Sequence, residues 1–152
     1  MKKIGFVLLL GVVCFLTSCD SVVFEKKYAF KNNVMTSNDY VFEFNNPSEK
    51  NVYDVIFTME YTPHFAFKQF VFEFNVTPEK SKTINSMFGI QLRDKSGVEL
   101  GQIKGNNLVF NQLILDHRML PKGITKISIK HAMPDDSIYC VKLIGLKIQK
   151  SK

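Results

Sequence analysis

The chain has 152 residues, 45% hydrophobic and 22% charged, a balance that fits one globular domain and excludes a disordered, collagen-like or multi-span membrane protein. The formal net charge is +6; Lys2 and Lys3 lie in a leader argued below to be removed, so the mature chain is two units less basic. Three Cys cannot build a disulfide framework, and 14 Phe and 5 Tyr with no Trp favour β structure over a helix bundle.

In chain order, Lys2-Lys3 precede an uncharged apolar run from Ile4 to Leu16. The run falls short of the roughly 18 residues that span a bilayer, so it reads as a signal peptide and not as a retained helix. It ends in Leu16-Thr17-Ser18-Cys19, small residues and then a cysteine, the pattern of a bacterial lipobox. Cleavage before Cys19 would leave it with a thioether-linked diacylglycerol and an acylated amine. At about 0.8 kcal/mol for each buried CH₂, two or three chains hold a protein on a membrane. Cys14 leaves with the leader. Asp20 leaves the inner membrane open as an address, while the neutral Asp20-Ser21-Val22-Val23-Phe24 lacks the acidic run of surface-exported lipoproteins, so the domain reads as periplasm-facing.

Residues 19–38 are polar with scattered aromatics and read as the lipidated cysteine and a tether. The domain proper is expected over residues 39–152. From Tyr40 the apolar residues recur at every second position, the period of a strand. Val41–Phe44 opens the series. Tyr53, Val55, Phe57, Met59 and Tyr61 share one face of an interior strand, and Phe70, Phe72, Phe74 and Val76 share one face of a half-buried one. Phe88–Leu92, Leu108–Leu115, Thr125–Lys130 and Tyr139–Ile148 complete the set, separated by turn signals such as Asn45-Asn46-Pro47-Ser48, Asp94-Lys95-Ser96-Gly97 and Gly105-Asn106-Asn107. Residues 111–120 fit strand or helix equally. Val141 and Leu143 are out of phase with Ile144, Leu146 and Ile148, which calls for a bulge near Leu143–Gly145. Seven or eight short strands make an all-β protein, an antiparallel, jelly-roll-like β-sandwich.

The residues carry little chemistry. His64, His117 and His131 belong to no metal-ligand spacing, and Cys140, between Tyr139 and Val141, reads as a small buried hydrophobe. There is no G-x-S-x-G, P-loop or G-x-G-x-x-G, so the chain reads as a non-enzyme with no cofactor and no metal. The scattered lysines read as a solvated sandwich face, with no nucleic-acid partner expected. The loop Tyr61-Thr62-Pro63-His64-Phe65-Ala66-Phe67 is different: unless it folds back, Tyr61, Phe65 and Phe67 form an exposed contact patch.

The C-terminal third, Leu120-Pro121-Lys122-Gly123-Ile124-Thr125, then Ile127-Ser128-Ile129-Lys130-His131-Ala132-Met133, then Ile144-Gly145-Leu146-Lys147-Ile148, together with the lipobox and the Phe-rich β domain, resembles the gliding-motility lipoprotein GldH family of Bacteroidetes. The family pattern is a Pro-x-Gly turn, a strand ending in Gln-Ala-Met-Arg and a closing V-G-L-x-I strand; here His131 stands for the Gln, Pro134 for the Arg and Ile144 for the Val. The resemblance implies an outer-membrane lipoprotein, an accessory or structural component of the gliding and type IX secretion machinery with protein partners in that complex. It carries over one functional residue, Cys19. Two other readings compete with it. One is a lipid-anchored glycan-binding module using Tyr53, Tyr61, Phe65 and Phe67. The other is a hydrolase, which requires His117, His131 and nearby Asp residues to converge.

Overall fold

The computed structural model describes residues 21–152; the leader 1–18 and Cys19 lie outside the described residues. Eleven strands follow in order: β1 Val22–Ala29, β2 Val34–Thr36, β3 Tyr40–Asn46, β4 Val52–Tyr61, β5 Gln69–Pro78, β6 Ile84–Gln91, β7 Gln102–Lys104, β8 Asn107–Met119, β9 Gly123–His131, β10 Ser137–Tyr139 and β11 Val141–Lys150. Three of them, β2, β7 and β10, are only three residues long, which leaves eight principal strands, in line with the sequence pattern.

One sheet runs β1-β11-β4-β8-β7 and the other β3-β9-β5-β6, with β2 and β10 forming a two-stranded flap. Every pairing is antiparallel. Taken in chain order, the eight long strands pair first with last (β1·β11), second with seventh (β3·β9), third with sixth (β4·β8) and fourth with fifth (β5·β6). This is a long hairpin rolled up so that β11 meets β4 and β9 meets β5. It is the jelly roll.

Strand periodicity builds the core directly. All of Tyr53, Val55, Phe57, Met59 and Tyr61 are fully buried, and Phe70, Phe72, Phe74 and Val76 face them from the other sheet. Phe57 stacks on Phe72 with ring centroids 4.6 Å apart and on Phe70 at 6.0 Å, a geometry that adds to the area term. At one end, buried Asn46 ties three segments together. Its Nδ2 donates to the Leu120 carbonyl at 2.6 Å, and its Oδ1 accepts from the Tyr53 hydroxyl at 2.7 Å.

The tether expected over residues 19–38 is corrected: the chain enters the sheet at Val22. Strand β1 is wet on most of its length, with only Phe24 and Tyr28 turned inward, so its apolar signal is two residues wide. Those two rings close one seam of the sandwich. Phe24 meets Phe44 at 6.1 Å, Tyr28 meets Phe42 at 5.1 Å, and the Tyr28 hydroxyl donates to the Val41 carbonyl.

Residues 111–119 resolve as strand, and Leu120 lies just past its end. The C-terminal bulge falls between Val141 and Leu143, slightly ahead of the expected place, and Cys140 before it takes φ = +69°. Val141, Ile144, Leu146 and Ile148 can then all be buried. Gly105 has φ = +61° between β7 and β8, as the first central position of a type II′ hairpin needs.

Candidate functional site

The aromatic loop after β4 folds back. Tyr61 and Phe65 are 0% and 1% exposed and Phe67 is half-buried, so the expected patch of Tyr61, Phe65 and Phe67 is corrected to an extension of the core. The rings run in series, Tyr61 to Phe65 at 5.8 Å and Phe65 to Phe67 at 5.6 Å. What permits this is a cation 28 residues downstream in sequence. Arg93 Nη2 donates to the carbonyls of Phe65 at 2.7 Å and Pro63 at 3.1 Å, while its Nε donates to Glu99 Oε1 at 2.5 Å. The part-buried Phe65 carbonyl and the exposed Pro63 carbonyl therefore share one protein donor. The other Glu99 oxygen accepts from the Tyr61 hydroxyl at 3.0 Å; burial, then the Glu99 carboxylate, push that phenol well above its ordinary pKa.

With the rings inside, the apolar surface at this end of the sandwich comes from elsewhere. Val98 and Ile103 are 60% and 82% exposed. Together with Pro63, Glu99, Asn106 and Leu108 they line an open cleft of about 490 Å³. The short alternation Val98, Leu100 was the available signal, and it lies hidden behind the turn residues Asp94–Gly97.

Sequence reasoning named His117 with nearby Asp residues but missed their partner on another strand, Asp54. Register opposes Asp54 on β4 to the irregular stretch of β8 at Asp116-His117, where His117 takes φ = +49°. Asp54, Asp116 and His117 then hold their ligand atoms within 4.8 Å of one another, and among the described residues these are the ones able to hold a metal. They already satisfy each other. His117 Nδ1 lies 2.5 Å from Asp116 Oδ1, and Asp54 Oδ1 accepts from the Ser151 hydroxyl at 2.6 Å and the His117 amide at 3.0 Å. The Ser151 hydroxyl, then the His117 amide, hold the Asp54 carboxyl below the usual range; the Asp116 hydrogen bond raises the His117 imidazole. No motif spacing could reveal this, because β4–β8 pairing creates it.

His131 sits on the other sheet, 2% exposed. Its neighbours are the Met133 amide, 3.4 Å from Nδ1, and the Asp136 and Met35 backbones, and burial lowers its pKa. His117 and His131 thus keep separate company. His64 is exposed, and Cys140 is a free, part-buried thiol. Lysines on the sheet faces pair locally, as Lys126 does with Glu43 at 3.3 Å and Lys27 with Glu25 at 2.9 Å. Such exposed pairs contribute little stability.

Fold and surface together define an all-β jelly-roll domain whose described residues offer an apolar end-cleft and one self-satisfied Asp-His cluster. Residues 22–148 match the family model of the GldH lipoprotein, and the chain belongs to that family. It is accordingly a lipoprotein of the gliding-motility-associated kind, held to a membrane of the envelope by its lipid anchor. A search of curated proteins found no match.

Proposed function

We propose that this chain is a non-enzymatic outer-membrane lipoprotein, anchored through acylated Cys19 with its jelly roll facing the periplasm. It acts there as an accessory or structural component of the gliding and type IX secretion machinery. The observation that carries this reading is membership of the GldH lipoprotein family over nearly the whole domain. The contact surface is the end-cleft at Pro63, Val98 and Ile103, where exposed aliphatic side chains stand next to the Arg93–Glu99 pair. An apolar patch with a charged rim is the usual make-up of a protein contact. Of the four rings named for the glycan-binding alternative, Tyr53, Tyr61 and Phe65 are buried and Phe67 is half-buried, which favours the protein-contact reading.

The test is a deletion strain complemented with the wild type, Cys19→Ala or Ile103→Lys, scored for colony spreading and for the secreted proteome. Loss of either trait on deletion, restored by wild type and not by Cys19→Ala, supports an anchored component of the machine. Failure of Ile103→Lys to restore it, with protein levels unchanged, supports the end-cleft as the contact. Survival of both traits in the deletion strain refutes the reading.

A further inference from the structure

The sandwich is closed along one seam and open along the other. Where β1 meets β3, Phe24, Phe44, Tyr28 and Phe42 fill the gap with ring contacts. Where β8 meets β6, β7 covers β8 only at Asn107, Leu108 and Val109. From there to Met119, β8 has no strand beyond it among the described residues. A cavity of about 370 Å³ opens in this seam, at the end of β8 remote from the cleft at Ile103. Its floor is core, since Phe74, Val76 and Leu120 are buried, and its mouth is apolar, with Ile84 and Met119 63% and 66% exposed. Half-buried Leu115 lines one wall. Two polar side chains enter the cavity, Ser86 and Arg118. Register sets Ser86 opposite Phe74 and Arg118 opposite Tyr53. Cross-strand partners share a face of the sheet, and both rings are buried, so the hydroxyl and the guanidinium stem stand on the inward faces of their strands. Among the described residues Arg118 has no ion-pair partner.

We infer that this open seam binds a free fatty acid, its acyl chain lying between β6 and β8 and its carboxylate held by Arg118. The ligand chemistry follows from the lining. An apolar cavity with a few convergent polar groups is the usual make-up of a small-molecule site. One unpaired guanidinium matches one carboxylate, which it can grip through two parallel N–H donors; a doubly charged phosphate would call for more than one cation. The body of the ligand is hydrocarbon, because beyond the guanidinium the lining side chains offer only the Ser86 hydroxyl. A peptide would bring an amide with every residue and leave most of them unpaired on apolar walls. Size sets the chain length: at about 30 Å³ for a water-sized group, the cavity holds on the order of twelve heavy atoms, a carboxylate and about nine further carbons. A charge turned inward at a strand edge can also serve only to deter other strands, and the experiment separates the two roles. The inference does not depend on the functional reading above, whose contact surface lies at the other end of β8.

The experiment uses the mature, lipidated chain in phosphatidylcholine nanodiscs and measures radiolabelled decanoate by equilibrium dialysis, with uptake by empty discs subtracted. One decanoate is expected to bind each chain, half-saturating at about 100 μM or below. Arg118→Ala should weaken binding at least about tenfold, and Arg118→Lys, which keeps the charge without the fork, should weaken it less. Decanol, with the same chain and no carboxylate, should bind the wild type at least about tenfold more weakly. Ile84→Glu sets a like charge at the mouth on an exposed position and should weaken decanoate binding by a similar factor. Asn85→Glu, on the outer face of the same strand, should leave it unchanged. Circular dichroism checks that each variant is folded. The inference is overturned if uptake does not saturate, if folded Arg118→Ala binds decanoate as wild type does, which would leave Arg118 as an edge guard, or if decanol binds as well as decanoate. A folded Ile84→Glu that binds normally overturns it too. So does loss of decanoate binding when phosphatidylglycerol is added to the discs, which would give the seam to a membrane lipid.

Discussion

Arg93 is the residue on which the folded-back loop depends, so Arg93→Ala is the sharpest test of why the aromatic patch is absent from the surface. The substitution removes a hydrogen bond to Glu99 at 2.5 Å and two to the carbonyls of Phe65 and Pro63 at 2.7 and 3.1 Å. It leaves Glu99 with only the Tyr61 hydroxyl, the part-buried Phe65 carbonyl without its donor, and the Pro63 carbonyl open to solvent. Hydrogen bonds to a charged partner contribute about 1.5–3 kcal/mol each, and orphaned groups cost about 1–3 kcal/mol. The side chains of Arg93 and Glu99 are 17% and 24% exposed, so water recovers part of this. The net loss is expected to be about 2–4 kcal/mol. At a urea slope of about 1.5–2 kcal/mol/M, that is a midpoint lower by about 1–2 M. The assay is urea unfolding of the full chain followed by circular dichroism, with a dye for exposed apolar surface under native conditions. Arg93→Ala should bind more dye than wild type as Phe65 is released, and Glu99→Gln in the same background should cost less than it does alone. A destabilisation under about 1 kcal/mol with no added dye binding would refute the reasoning, because the loop would then be held by ring packing alone.

Two further expectations follow from buried polar groups. Asn46→Asp sets a carboxylate oxygen against the Leu120 carbonyl, which accepts from Asn46 at 2.6 Å; the folded state then favours the protonated acid. The variant should be unstable at pH 7 by about 2–4 kcal/mol, and thermal melts should show it regaining ground on wild type as the pH falls towards 4. His131 has a lowered pKa because burial disfavours its cation. The unfolded chain therefore binds its proton first, and stability from this residue is present above about pH 6.5 and lost as pH falls below it. His131→Gln, which keeps a polar amide of similar reach, should remove that part of the acid dependence; identical pH–stability curves for the two proteins would rule it out.

The all-β class and the core faces of β4 and β5 were legible in the sequence, because a strand half-buried in a sandwich writes its burial as alternation, residue by residue. The bulge in β11 was legible for the same reason, because the phase of the pattern breaks there, although it falls between Val141 and Leu143, just ahead of the expected Leu143–Gly145. Alternation is silent where a strand buries little, and so β1, with only Phe24 and Tyr28 turned inward, passed for a tether. It is silent too about contacts between residues distant in sequence. Nothing near Phe65 announces that Arg93 will satisfy its carbonyl, and nothing near Asp54 announces His117. Those partners are set by register and by loop packing, which are properties of the closed sandwich. The lipobox-like pattern ending at Cys19, the family and the fold class were read from the sequence by itself, since each depends on local pattern. Which aromatics reach solvent was decided only when the two sheets closed and distant hydrogen bonds became short.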